Sequence, residues 1–184
     1  MAEFRKLSLD GLVEIRPARH GDARGFFSEV WARSSMEACG LDVDFVQDNH
    51  SFSATRAVLR GLHFQLAPAA QDKLVRVSRG AVFDVAVDVR PDSPTFGKWE
   101  GLTLSAELWN QLFVPCGFAH GFLTLTDDTE VQYKVSAPYR PDLERSLRFD
   151  DPAIGIDWPD VGVAFTLSDK DRAAPLLEDL KESF

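Results

Sequence analysis

Within "RGLHFQLAPAAQDKLVRVSRG", residues 60–80, an imidazole at His63 and an ammonium at Lys73 interrupt a texture that otherwise alternates like two β-strands. An imidazole titrates near neutral pH and suits a general base, and an ammonium in an apolar setting can hold a developing negative charge. Side chains alternate faces along a strand, so residues two apart share a side. In "RGLHFQ" His63 then shares a face with Gly61 and Gln65, opposite Arg60, Leu62 and Phe64. In "KLVRV" Lys73 aligns with Val75 and Val77, and in "EVQYKV" Tyr133 aligns with Val131 and Val135. In "AVFDVAVDVR" Asp84 and Asp88 align with Val82 and Ala86, while Phe83, Val85, Val87 and Val89 take the other side. Singly, each has an ordinary reading: a satisfied strand histidine, an edge lysine, a solvated aspartate, a core tyrosine tied to backbone. Together they are costly to bury unless they pair or serve a site, so the pattern predicts a polar pocket inside a barrel.

The elements that must position these groups are short. Eight strand-like stretches run from "FVQDNHSFS" to "EVQYKVS", at roughly 8 to 12 residue spacing, the signature of a sandwich or barrel. The 14 Phe and 4 Trp, with 10 Pro and 12 Gly spread along 184 residues, fit the same all-β class. The length suits one substantial core, read as a single domain over residues 1–184. "SSMEACG" (34–40) predicts a short helix ending at Gly40, and "LLEDLKESF" (176–184) predicts a closing helix.

A net charge of −9 would repel the phosphate backbone that drives nucleic-acid affinity, so nucleic acid and anionic membrane surfaces are not expected partners. "MAEFRKLSLDGL" lacks a signal-like apolar core and no run approaches the ~18 apolar residues of a membrane span, so a cytoplasmic protein is expected. Cys39 and Cys116 lie far apart and read as reduced, structural thiols.

"VPCGFAHGF" (114–122) places Pro115, Gly117 and His120 at a Pro-x-Gly-x-x-His spacing that resembles the second motif of cupin barrels. A metal cupin would also carry two histidines one residue apart, and here "LHFQ" puts Gln65 where the second would stand. A catalytic metal usually draws three or more protein ligands, so His63 and His120 fall short, and His20 and His50 in turn-like contexts do not complete the set. The expectation is a cupin-type jelly-roll barrel with a few short helices and no metal.

An ordered set of segments is then similar to one family, the dTDP-4-dehydrorhamnose 3,5-epimerases. The set comprises "DARGFFSEVW", "FVQDNHSFS", "LRGLHFQ", "KLVRVSRGAVFDVAVDVRPDSPTFGKW", "LFVPCGFAHGFLTL", "EVQYKVSAPYRP", "DDPAIGIDWP" and "LSDKD", and it runs from about residue 15 to about residue 177. The resemblance implies a homodimeric jelly roll that epimerises dTDP-4-dehydro-6-deoxy-D-glucose at C3 and C5 without a cofactor. It assigns His63 as the base, Asp171 as the carboxylate that fixes its tautomer, Lys73 as the partner of the C4 oxygen, and Tyr133 as the acid on the opposite face. It further implies that Arg24 grips the diphosphate, that Glu29, Gln47 and Asn49 lie around the thymidine, and that Tyr139 stacks on the thymine. Arg60, His120, Glu144 and Lys170 match further substrate contacts. Strand phase adds Asp84 as a group orienting His120 or Lys73. Asp72, Trp109, Arg145 and Phe149 depart from the family pattern.

Overall fold

The computed structural model describes residues 2–180. Its elements run β1 Glu3–Lys6, β2 Val13–Arg16, β3 His20–Asp22, β4 Gly25–Phe27, α1 Arg33–Glu37, β5 Gln47–Ser53, β6 Leu59–Gln65, β7 Lys73–Arg79, β8 Ala81–Asp88, β9 Trp99–Ser105, β10 Gln111–Val114, β11 Phe118–Thr124, β12 Thr129–Val135, β13 Glu144–Ser146 and α2 Asp169–Arg172. A 3-10 turn at Leu177–Asp179 follows. The strands form a six-stranded sheet ordered β1-β2-β10-β7-β12-β5, a five-stranded sheet ordered β13-β6-β11-β8-β9, and a separate β3-β4 ribbon. From β5 to β8, and again from β9 to β12, the chain passes from one sheet to the other at each successive strand. That alternation is the jelly roll, and the fold is of the cupin type.

Both faces of the central strands are apolar, which requires a covering on the outside as well as a core within. The interior is filled by Val75, Val77, Val82, Ala86, Leu104, Leu112, Phe118, Phe122 and Val131, with Tyr133 packed against them. Outward-facing Val85, Val87 and Val89 are roofed by Ile154, with Phe83, Ile156 and Trp158 alongside. On the other sheet, outward-facing Leu74 and Phe113 meet Met36 of α1 and, beside it, Trp31, Val43 and Phe45. The two-residue periods of β7, β8 and β12 thus hold as the sequence predicts.

The period fails in β6. His120 faces His63 across β11, but the next partner pair is Phe122 with Arg60, so Gly61 and Leu62 together oppose Gly121. This two-against-one bulge shifts the phase, and Arg60 lines the same cavity as His63 rather than the opposite face. The helix expected over 34–40 is present as α1, with Gly40 at φ +81 closing the turn beyond it. In place of the expected closing helix there is only the 3-10 turn, because the Leu177 amide is held by Asp151 Oδ2 at 2.6 Å and Leu177 and Leu180 pack under the outer cluster. Residues 181–184 of that expectation lie outside the described residues.

Candidate active site

A cavity of about 320 Å³ opens between the two sheets. From the five-stranded sheet come Arg60 and His63 of β6, His120 of β11 and Glu144 of β13; from the six-stranded sheet come Ser51 of β5, Lys73 of β7 and Tyr133 of β12. Asp171 and Lys170 enter from α2, and Tyr139 from the loop after β12. A second cavity, about 330 Å³, has Trp31, His50, Arg76 and Lys134 on its walls, without His63, Lys73 or Asp171.

α2 reaches the barrel because Thr166 bridges Val58 just ahead of β6. Ser168 caps the helix, its hydroxyl accepting the Asp171 amide at 3.1 Å, and this turns the Asp171 carboxylate inward. Asp171 Oδ1 lies 2.7 Å from His63 Nε2. Burial opposes ionisation of Asp171, but hydrogen bonds from His63, the Ser168 hydroxyl and the Gly61 amide outweigh it and hold its pKa below the usual carboxylate value. Asp171 therefore stays ionised at neutral pH, accepts the Nε2 proton, and leaves Nδ1 of His63 as the basic nitrogen.

Lys73 is buried, its Nζ donating to the His63 carbonyl at 3.0 Å. Burial pushes its pKa down to about 8, with the charges of Asp84 and Glu144 pulling it back up. The side chain is thus still largely an ammonium at pH 7, but a poorly solvated one, strong toward an anionic oxygen. Asp84, fully buried, accepts from His120 Nε2 at 2.8 Å through Oδ1. Its Oδ2 has no hydrogen-bond partner among the described residues. The orienting role that strand phase assigned to Asp84 is thus met at His120 by a bond and at Lys73 by charge.

Tyr133 is half-buried, and burial raises its pKa above the ordinary phenol value, with Arg60 opposing. Its hydroxyl stays protonated through neutral pH. At the mouth, Tyr139 donates its hydroxyl to Glu144 Oε2 at 2.7 Å, and Lys170 pairs with the same oxygen. Burial disfavours the Glu144 carboxylate, but those two bonds, with the charges of Lys170 and His63, hold its pKa below the usual value. Gln47 and Asn49 are bonded to one another at 2.8 Å, and Gln47 Oε1 accepts the Tyr139 amide at 3.2 Å, so β5 steadies the Tyr139 loop.

Gln65 is 2% exposed and fully engaged. Its Nε2 donates to the carbonyls of Ala69 at 2.7 Å and Pro138 at 3.2 Å, and its Oε1 accepts the Arg140 amide at 2.7 Å. The position where a metal ligand would stand in a metal cupin is a loop anchor here. Among the described residues, no group of three or more His, Cys, Asp or Glu is placed to hold a metal ion. Cys116 is equally unreactive, since burial and the nearby Asp72 push its thiol up to about 12.

Four expected residues stand outside the cavity walls: Gln47, Asn49, which lines the second cavity instead, Arg24 and Glu29. Arg24 sits at the tip of the β3-β4 ribbon with 90% of its side chain exposed, bonded to Asp22. Glu29 accepts from Ser35 beside α1. The sequence reading missed Ser51, whose buried hydroxyl on the cavity wall has no partner among the described residues. The signal was present, since Ser51 is two residues from Asn49 on the same face of β5.

A jelly roll enclosing a His–Asp pair, a desolvated lysine and a protonated tyrosine on opposed sheets defines a cupin-fold enzyme. The family model of the dTDP-4-dehydrorhamnose 3,5-epimerases matches residues 6–179, and the chain belongs to that family. The dTDP-4-dehydrorhamnose 3,5-epimerase of Sinorhizobium fredii is 54% identical over 181 residues, covering 98% of this chain and 92% of that one. The crystal structure of dTDP-6-deoxy-D-glucose-3,5-epimerase from Legionella pneumophila, in complex with dTDP-4-keto-L-rhamnose, superposes with a TM-score of 0.93 at 44% identity and 98% and 95% coverage. A 3'-monoepimerase of Streptomyces bikiniensis in complex with dTDP-quinovose gives a TM-score of 0.86 at 40% identity, over 94% of this chain and 86% of that one.

Proposed function

We propose that this protein converts dTDP-4-dehydro-6-deoxy-D-glucose to dTDP-4-dehydro-L-rhamnose by inverting C3 and C5. The observation that carries the reading is that His63 and Tyr133 project into one cavity from opposite sheets, with Lys73 beside the histidine. The C4 ketone makes the neighbouring C–H bonds weakly acidic. His63 Nδ1 takes the proton, and the electron pair of that bond moves through the carbon to the C4 oxygen, giving an enolate. The Lys73 ammonium holds the negative oxygen. The Tyr133 hydroxyl then delivers a proton to the other face of the same carbon, and exchange with solvent resets both groups. Arg60, His120, Glu144, Lys170, Gln47, Asn49 and Tyr139 hold the sugar and the nucleotide around that centre.

Arg24 and Glu29 take part through a homodimer, in which the β3-β4 ribbon of one protomer reaches the cavity of its partner. Supporting this, Phe27 on the ribbon is 71% exposed, an apolar side chain unsuited to water, and the Arg24 guanidinium at the ribbon tip, paired with Asp22, is 90% exposed to an incoming diphosphate. A cytoplasmic setting, where sugar nucleotides are made, and a single epimerase domain complete the reading. Incubation with substrate in deuterium oxide tests it: NMR should show both the C3 and C5 protons exchanging. Exchange at one carbon alone would make the protein a monoepimerase, and exchange at neither would sink the proposal.

A further inference from the structure

The β3-β4 ribbon is held by three short residue pairings and projects from the barrel, so something must fix its direction if Arg24 is to meet an anion. The ties to the barrel converge on Trp109, in the turn between β9 and β10. Its ring meets Phe26 edge to face, with centroids 4.9 Å apart and planes at 81°. Its Nε1 donates to Ser28 Oγ at 2.9 Å. Two guanidinium groups attend the same indole, Arg19 at 5.7 Å and Arg76 at 5.1 Å from the ring, and Arg19 also lies 5.6 Å from the Phe26 ring.

The turn that carries Trp109 is itself rigid. The Trp109 amide donates to Ser105 O at 3.0 Å, and the neighbouring Asn110 side chain is bonded to Glu14 at 2.8 Å and to Thr103 O at 2.9 Å. Trp109 takes φ +57, a left-handed conformation disfavoured for a bulky residue and held here by those bonds. The result is an indole fixed to the barrel and clasped from the ribbon side by Phe26, Ser28 and Arg19, with Arg76 of β7 behind it.

We infer that Trp109 is a positioning residue for substrate capture: it sets the direction of the ribbon and so places Arg24 against the diphosphate of the nucleotide sugar. This rests on the reading that the ribbon serves the cavity of a partner protomer. Trp109 lies outside the proton-transfer machinery, so its loss acts on binding rather than on the chemical step.

The test is steady-state kinetics on Trp109→Ala, Trp109→Phe, Arg24→Ala and the double variant Arg24→Ala/Trp109→Ala, using dTDP-4-dehydro-6-deoxy-D-glucose. Amide exchange across residues 20–28 is followed in the same proteins. Trp109→Ala should raise KM about tenfold and leave kcat within about twofold. Trp109→Phe keeps the ring contacts and should stay within about threefold of the parent. The double variant should be no worse than Arg24→Ala, since both losses remove one contact. Faster exchange should be confined to the ribbon, which separates lost direction from general unfolding. If Arg24→Ala raises KM while Trp109→Ala does neither that nor loosens the ribbon, the positioning role is overturned and the ribbon reading stands. If Arg24→Ala leaves KM unchanged, the ribbon reading fails, and the role of Trp109 fails with it.

Discussion

His63 Nε2 lies 2.7 Å from Asp171 Oδ1, although the two residues are 108 positions apart in the chain. The carboxylate comes from a four-residue helix whose only firm cap is Ser168, and it is 5% exposed. A group so local in origin and so buried is held for its direction. Asp171→Asn should lower kcat by about 10²- to 10⁴-fold with little change in KM, because an amide does not enforce the tautomer that frees Nδ1. The folded pKa of Asp171 lies below its unfolded value, so the pair contributes stability present above the unfolded value of 3.8 and lost as pH falls through the folded one. Melting curves of the parent and variant should therefore converge as the pH is lowered below about 4.

With Lys73 in the proposed role, it should set the alkaline side of the pH profile. Its pKa of about 8 means that kcat should fall as pH rises through that value, while the raised pKa of Tyr133 keeps the acid protonated across the same range. Asp84 is the largest favourable charge acting on Lys73, so Asp84→Asn should move the falling limb to lower pH. Lys73→Met should remove the limb and lower kcat by about 10²- to 10³-fold. The pH slope has the same sign as that of Asp171, but at neutral pH the buried ammonium costs stability where the Asp171 carboxylate adds it. The unfolded state binds more protons between about 8 and 10.5, so this one group makes the fold more stable as pH rises through that window.

Tyr133 and His63 stand on different sheets, so on the proposed assignment removal of a proton is separated from its return. Tyr133→Phe should therefore still exchange substrate C–H protons with deuterium oxide through His63, while forming inverted product at least about 10²-fold more slowly. NMR of the recovered sugar reads both quantities from one sample. Loss of exchange and inversion to the same extent would place Tyr133 elsewhere in the reaction.

The partner-ribbon arrangement predicts complementation. His63→Ala should be inactive, and Arg24→Ala weakened at low substrate by about 10- to 100-fold, from loss of a charge-assisted contact. When the two are unfolded together and refolded as hybrids, one site in each hybrid dimer joins an intact His63 to an intact ribbon from the other protomer. Activity at low substrate should then exceed the mean of the separate variants. Hybrids no better than that mean would put the ribbon in its own protomer's site.

Much of this site is legible in residue phase alone. Lys73, Asp84 and Tyr133 sit where a two-residue period puts them, because β8 is regular and the one register shift between β7 and β12 falls between Glu130 and Val131, beyond the stretch that carries Lys73 and Tyr133. Arg60 is misread for a reason the period cannot contain: the bulge depends on Gly121 of another strand, where an added Cβ would stand 2.7 Å from the Arg60 carbonyl. The His63–Asp171 contact and the isolation of Arg24 are likewise relations between distant segments. A motif can suggest such pairs, but only the fold brings them together or leaves them apart.

Gln65 tests whether the cupin ancestry of the barrel still offers a metal site. Replacing it with histidine would restore two imidazoles one residue apart, but the amide it removes serves the backbone of Ala69, Pro138 and Arg140. Buried groups left without partners cost roughly 2–4 kcal/mol in sum. Gln65→His should therefore lower Tm by about 5–15 °C. The Tyr139 loop loses its anchor at the same time, so KM should rise more than kcat falls. Tight Fe, Mn or Ni binding should not appear, since His63 already spends Nε2 on Asp171 and His120 spends Nε2 on Asp84. Calorimetry with each metal and a melting curve decide the matter: a stable, metal-loaded variant would mean that the barrel, rather than its anchored amide, sets the chemistry.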